Sequence, residues 1–256
     1  MINVLKSDFY KLFLRKAFYI CGVISGLIGV LLVVLINNEF PFAKELGYNG
    51  ISSSYIGLGQ VTLLTTVFLS MFVSSEFAYG TIKNMCSKGI SRVSIYLSKV
   101  VMGAFTSIVY TLFTGLCGFI AGSLMWGVGE FNIDEFWNIL RLFALFILAE
   151  LCLQSVFIMI SFLIRHTGGT VSANLAVYVL APALLLPLLD YIIKSLKWFE
   201  LEGGVSKYWV GSYMQIFSGT LQLEQEVICT GIIVCLIYFI VSTAIGIISF
   251  YKRDIR

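Results

Sequence analysis

The sequence predicts an all-α integral membrane protein: six transmembrane helices, an amphipathic N-terminal helix and both termini in the cytosol. Three observations carry this. Hydrophobic residues are 59% and charged residues 12% of the 256, with a mean hydropathy of +0.94. Soluble domains run about half apolar and a quarter charged. Six apolar runs have the length a helix needs to cross the hydrocarbon core, roughly 20 residues. They are 18–36, 55–73, 100–126, 142–164, 171–189 and 227–251.

The third observation is where the charges fall. With the N-terminus inside, the inner segments hold Lys6, Lys11, Arg15, Lys16, Lys83, Lys88, Arg92, Lys99, Arg165, Lys252, Arg253 and Arg256, which is 12 of the 17 basic residues. The outer side keeps Lys44, Lys194, Lys197 and Lys207, with Arg141 at a helix end. That asymmetry is the positive-inside pattern. A net charge of +3 spread along one membrane face predicts contact with the bilayer and no nucleic-acid partner. Five cysteines fall in spans and Cys86 in an inner loop, so no disulfide framework is expected. The first apolar run is too long for a cleavable signal.

Residues 1–16 place Ile2, Leu5, Phe9, Leu12 and Phe13 on one helical face and Asn3, Ser7, Asp8, Lys11 and Arg15 opposite. Such a helix can lie in the membrane interface, the reading its regular apolar spacing favours over a frayed basic tail that only enforces topology. In span one, Gly22, Gly26 and Gly29 form a small-residue ridge for close helix packing. Pro41 breaks the first outer loop. Span two carries Thr62, Thr66, Ser70 and Ser74 at four-residue steps, one polar stripe. Such a stripe either lines a solute path or bonds carbonyls and a neighbouring helix, the reading favoured for hydroxyls.

The inner segment 76–99 is punctuated by Gly80 and Gly89, which bracket a short helix at Thr81–Lys88. Ser91 offers an N-cap for a helix starting at Arg92. Span three repeats the small-residue device with Thr114, Gly118 and Gly122, and Trp126 and Trp137 pair as interfacial aromatics. Asn132 and Glu135 have capping-box spacing.

Span four holds the one deep carboxylate, Glu150, with Gln154 a turn later. An ionisable group at that depth costs a few kcal/mol and faces protein or a wet cavity. A substrate contact or proton-linked switch and a carboxyl hydrogen-bonded to Gln154 or another helix are both open. His166, the single histidine, reads as a solvated helix end, and Gly168-Gly169 as a tight turn into span five. Pro182 and Pro187 should kink or break that span, as a gate or as a bend into the outer segment 190–226. That segment fits two short interfacial helices. Residues 1–256 form one unit.

No P-loop or H-E-x-x-H motif is present, one histidine plus scattered acids cannot build an ordinary catalytic zinc site, and His166, outside any span, cannot serve an intramembrane Ser-His pair. No catalytic, metal-binding or cofactor-binding residues are expected.

Glu76, Gly80-Thr81, Lys83, then Gly89-Ile90-Ser91-Arg92 and Lys99 follow an order that resembles the ABC-2-type permease family, the membrane subunits of many bacterial ABC exporters. The resemblance implies that 1–16 is an elbow helix and 81–88 a coupling helix docking on a separate ATPase, present in two copies, which binds ATP and magnesium. Glu76, Gly80, Thr81, Lys83, Lys88, Gly89, Ser91 and Arg92 would carry that coupling. A second permease chain, identical or different, would complete the transporter. Spans one, two and five would form the dimer contact and pathway, with Thr62, Thr66, Ser70, Glu150 and Gln154 as candidate lining. The size resembles small Gram-positive permeases that export antimicrobial or amphipathic peptides, and implies a bacterial cell membrane. Bacteriocins or lantibiotics, drugs and lipids fit the same chemistry. Two rivals remain: a peptide-binding membrane sensor or immunity protein, and a secondary transporter using Glu150.

Overall fold

The computed structural model describes residues 2–39, 48–129, 133–196, 204–219 and 225–252. Among these residues all regular structure is helical. In order they are α1 (Ile2–Leu14), α2 (Lys16–Glu39), α3 (Gly50–Ile56), α4 (Leu58–Ala78), α5 (Thr81–Ser87), α6 (Arg92–Trp126), α7 (Ile133–Ile164), α8 (Thr167–Leu180), a π-helical turn (Ala181–Leu185), α9 (Leu186–Leu196), a 3-10 turn (Val205–Tyr208), α10 (Val210–Gly219) and α11 (Gln225–Lys252). Six stretches are long and apolar enough to cross a membrane: α2, α3–α4, α6, α7, α8–α9 and α11. The loop break expected at Pro41, the capping box expected at Asn132 and Glu135, and parts 197–203 and 220–224 of the outer segment lie outside the described residues.

The α3–α4 stretch is the hub. Of its most apolar window 61% is buried inside the chain, against 11% for α8–α9. Of the three spans that the resemblance implies for the dimer contact and pathway, span two is the most enclosed by its own chain, while spans one and five are the least, at 22% and 11%. Small residues let the neighbours close in. A Cβ at Gly26 would stand 2.7 Å from the Phe113 ring, and one at Gly118 would stand 2.6 Å from the Ser53 carbonyl oxygen. Ser53 Oγ donates to the Gly118 carbonyl at 2.8 Å, fastening α3 to α6. Both ridges therefore serve packing, as their spacing predicts.

Several local expectations change. The helix of span three starts at Arg92, as Ser91 predicts, but Lys99, two turns into it and expected at the inner edge of the span, is fully buried. Trp126 is buried and donates to Asn37 Oδ1 at 2.8 Å, while Trp137 is 61% exposed. Gly168 and Gly169 lie in the first turn of α8; the reversal is made instead by Arg165, at φ 63°. Left-handed backbone is uncommon for a residue with a Cβ. The prolines do not break span five. Leu186 N–H donates back to the Ala181 carbonyl across the π turn, which absorbs the missing donors. The helix then continues as α9 to Leu196.

Of the outer segment, α10 buries Val210, Tyr213, Met214 and Phe217 against α7 and α11. Asp190 Oδ1 accepts from the Val205 N–H at 2.5 Å and ties the 3-10 turn to α9.

Candidate functional site

Two polar constellations stand out within this apolar body. The first lies at the end of the bundle that carries α5. Gly80, at φ 67°, opens α5 and Gly89, at φ 79°, closes it. Ile90 N–H reaches the Met85 carbonyl at 3.2 Å and Gly89 N–H the Cys86 carbonyl at 3.1 Å. This is a Schellman closure, which needs the left-handed residue that glycine supplies. Ile82, fully buried, anchors α5, while Lys83, Asn84, Ser87 and Lys88 are exposed. Ser91 then accepts from the Ser94 N–H at 3.3 Å as the α6 N-cap. The helix, its bracketing glycines and this cap fall where the sequence puts them. Thr81 opens α5 half-buried. Burial pushes the Cys86 thiol up from its ordinary value, and nearby Arg92 pulls against that.

Arg92 is not part of the exposed face. Its Nη1 donates to the carbonyls of Tyr251 at 2.7 Å and Phe250 at 3.1 Å, and its guanidinium lies 5.9 Å from the Phe250 ring centre. It caps the C-terminal end of α11, where free carbonyls and the helix dipole favour a cation.

Glu76 is removed from that face too. It sits in α4, buried, inside a cluster that no single stretch of sequence reveals. Lys99 Nζ lies 2.7 Å from Glu76 Oε2 and 2.8 Å from Asp8 Oδ1. Lys11 Nζ lies 3.1 Å from Glu76 Oε1 and 3.5 Å from Asp8 Oδ1. Ser98 Oγ donates to Asp8 Oδ2 at 2.7 Å. Two carboxylates and two ammoniums alternate, tying α1, α4 and α6 together four residues before Gly80. The expected polar face of α1 is therefore turned partly inward: Asp8 is fully buried, and Ile2 is 75% exposed. Apolar periodicity misassigns that face because Asp8 finds its charge partners in the core.

The second constellation surrounds Glu150. Its carboxylate accepts from Thr65 Oγ1 at 2.5 Å, Gln154 Nε2 at 2.7 Å and Thr62 Oγ1 at 2.8 Å. All four side chains are buried, and Met214 of α10 reaches Thr62 with its sulfur at 3.9 Å. Thr66 donates to the Thr62 carbonyl at 2.6 Å and Ser74 to the Ser70 carbonyl at 2.5 Å, bonds one turn back within α4. Ser70 Oγ accepts from Asn174 Nδ2 at 2.7 Å, joining α8. The stripe is thus internal polar packing between α4, α7 and α8. Thr65, Asn174 and Tyr178, whose hydroxyl donates to the Gly59 carbonyl at 3.0 Å, belong to this seam and do not follow from the four-residue stripe. Asn174, an amide in mid-span, is the signal that could have pointed to it.

Residues 19–256 match the family described as "Protein of unknown function (DUF2705)". No curated protein matches the chain.

Proposed function

We propose a transport role for this chain, which belongs to the DUF2705 family. In this reading it is the membrane subunit of an ATP-driven exporter, with α5 as the helix that docks on a separate ATPase. The observation that carries the reading is the combination at α5. An exposed, cationic, seven-residue helix is bracketed by two left-handed glycines and held against a buried anchor. A loop needed only for orientation would require cations and no such fixation.

The ion cluster extends the argument. A docking helix transmits force only when its span is stiffly tied to the body. Glu76 lies in the last turn of α4 and is paired with Lys99 of α6 and Lys11 of α1. A push on α5 therefore moves α4 and α6 with α1. ATP and magnesium on two partner ATPases would close that dimer and shift the spans between inward- and outward-open populations. The α5 end then faces the cytosol of a bacterial cell, α1 is the elbow helix, and a second permease chain completes the pathway. The chain itself carries no catalysis. The substrate class is apolar or amphipathic: a peptide such as a bacteriocin, a drug or a lipid.

Two readings compete. A peptide sensor or immunity protein would need no ATPase. A secondary transporter would work through Glu150, which three hydrogen-bond donors enclose. The test is purification from native membrane into nanodiscs under mild conditions. A separate ATPase should co-purify, with turnover that depends on this chain. Recovery of the chain alone, with no ATPase activity restored on reconstitution, overturns the proposal.

A further inference from the structure

Two open grooves adjoin at the α5 end. One, of about 520 Å³, runs between the start of α2 and α4, with Arg15 and Lys16 at its mouth and Phe68, Met71 and Phe72 along its wall. The other, of about 420 Å³, lies between α5 and the α7–α8 reversal and carries Lys83, Arg165 and His166. Ala78 and Thr167 line both, so the grooves meet at the last residue of α4 and the first residue of α8. Among the described residues, four permanent cations and one histidine line the pair, and no carboxylate does. The positive end of the fourteen-residue α8 adds to this field.

We propose that these joined grooves hold an anionic phospholipid, its phosphate between the Arg15–Lys16 and Lys83–Arg165 sides and an acyl chain along α4. The apolar wall decides the occupant. Met71, 41% exposed, offers open apolar surface one turn from Ser75 and seven residues, about 10 Å along the helix, from Ala78, with Phe68 and Phe72 buried behind it. Open apolar surface thus lies beside the cationic mouth, the pairing that a phospholipid headgroup and upper acyl chain present. A soluble phosphate would use the cations and leave the wall empty, and an acidic peptide would have no reason to follow it. Arg15 is held in place at the mouth, where its Nη1 donates to Ser75 Oγ at 2.8 Å and its guanidinium rests 4.8 Å from the Phe72 ring centre. Lys16 is exposed and extends the cationic rim.

The inference stands apart from the transport reading, since such a lipid would hold α2, α4 and α8 together in a sensor as well. Its test is a binding titration of the full chain in neutral detergent with phosphatidylglycerol and, separately, phosphatidylcholine, read by native mass spectrometry. Phosphatidylglycerol should bind selectively. Lys16→Gln should weaken it about fivefold, and Arg15→Gln with Lys16→Gln roughly thirtyfold, from about 1 kcal/mol for each basic residue facing an anionic headgroup. Phosphatidylcholine affinity should not change. Because Arg15→Gln also removes the Ser75 bond, Lys16→Gln alone carries the result if the double variant is unstable. Equal affinity for both lipids, an undiminished preference in Lys16→Gln, or full competition by inorganic phosphate or polyglutamate would overturn the lipid assignment.

Discussion

The ammonium of Lys99 stands 2.8 Å from Asp8 Oδ1, and both side chains are fully buried. With Glu76 and Lys11 the charges of the cluster sum to zero. Lys99→Met leaves two carboxylates facing the single cation Lys11. Breaking a buried pair on one side costs about 3–5 kcal/mol, because the remaining charge is left uncompensated. Asp8→Asn in the same chain restores neutrality, with Glu76 still beside Lys11. The expected result is a severe loss of thermal stability in Lys99→Met and substantial recovery in the double variant, followed by unfolding in detergent. Additive losses would show that the charge balance does not govern this site.

Glu150 separates the transport readings. Replacing it with Leu removes the acceptor from Thr62, whose other contact is the weakly accepting Met214 sulfur. Thr65 keeps the Val61 and Thr62 carbonyls, each at 3.0 Å, and Gln154 keeps Thr65 Oγ1 at 2.7 Å with one of its two N–H groups, so the Thr62 hydroxyl and one Gln154 N–H are stranded. A cost of about 1–3 kcal/mol is expected for Glu150→Leu. Glu150→Gln keeps an acceptor and the shape, and should cost less. Substrate efflux by Glu150→Gln vesicles supplied with ATP should stay near wild type. Loss of efflux with unchanged stability would instead favour the proton-linked reading.

The parts of this molecule that are legible in sequence are those written in contiguous signals. Each span announces itself by its own length of apolar residues, and α5 by Gly80, Gly89 and Ser91, whose backbone roles are local. The ion cluster is not legible. Asp8, Lys11, Glu76 and Lys99 come from three segments, and each alone looks like a solvated charge near a helix end. Arg92 misleads for the same reason, since its acceptors are carbonyls 158 and 159 residues away. Burial of Lys99 follows from its carboxylate partners on α1 and α4, which no reading of α6 alone contains. Gly168-Gly169 misleads differently: turn chemistry is present, but His166 caps α8 immediately before it and the reversal falls on Arg165.

Cys86 reports on the α5 end. Its thiol lies above the usual value through burial, so the reactive thiolate is scarce at neutral pH. In a chain with the other cysteines changed to alanine, maleimide labelling should therefore be slow at neutral pH and rise about tenfold per pH unit until the raised pKa is passed. An impermeant maleimide should label inside-out vesicles and spare right-side-out ones. Equal labelling of both would remove the cytosolic assignment of α5.

Coupling itself is tested on the exposed residues alone. Lys83 and Lys88 are exposed and make no ion pair among the described residues, so Lys83→Glu with Lys88→Glu should change thermal stability by less than about 1 kcal/mol. Arg92→Glu is the contrasting variant, because it places a carboxylate against the Phe250 and Tyr251 carbonyls at the negative end of α11 and should destabilise the fold. Gly80→Pro cannot adopt φ 67°, since the proline ring fixes φ near −65°, and it should distort the start of α5. If α5 docks on an ATPase, the lysine reversal should abolish transport-coupled ATP turnover in a protein that still folds and inserts. Gly80→Pro should do the same by misorienting the helix. Reconstituted ATPase activity, measured with both variants at matched insertion, decides the matter: wild-type turnover in the double lysine reversal removes α5 as the docking element.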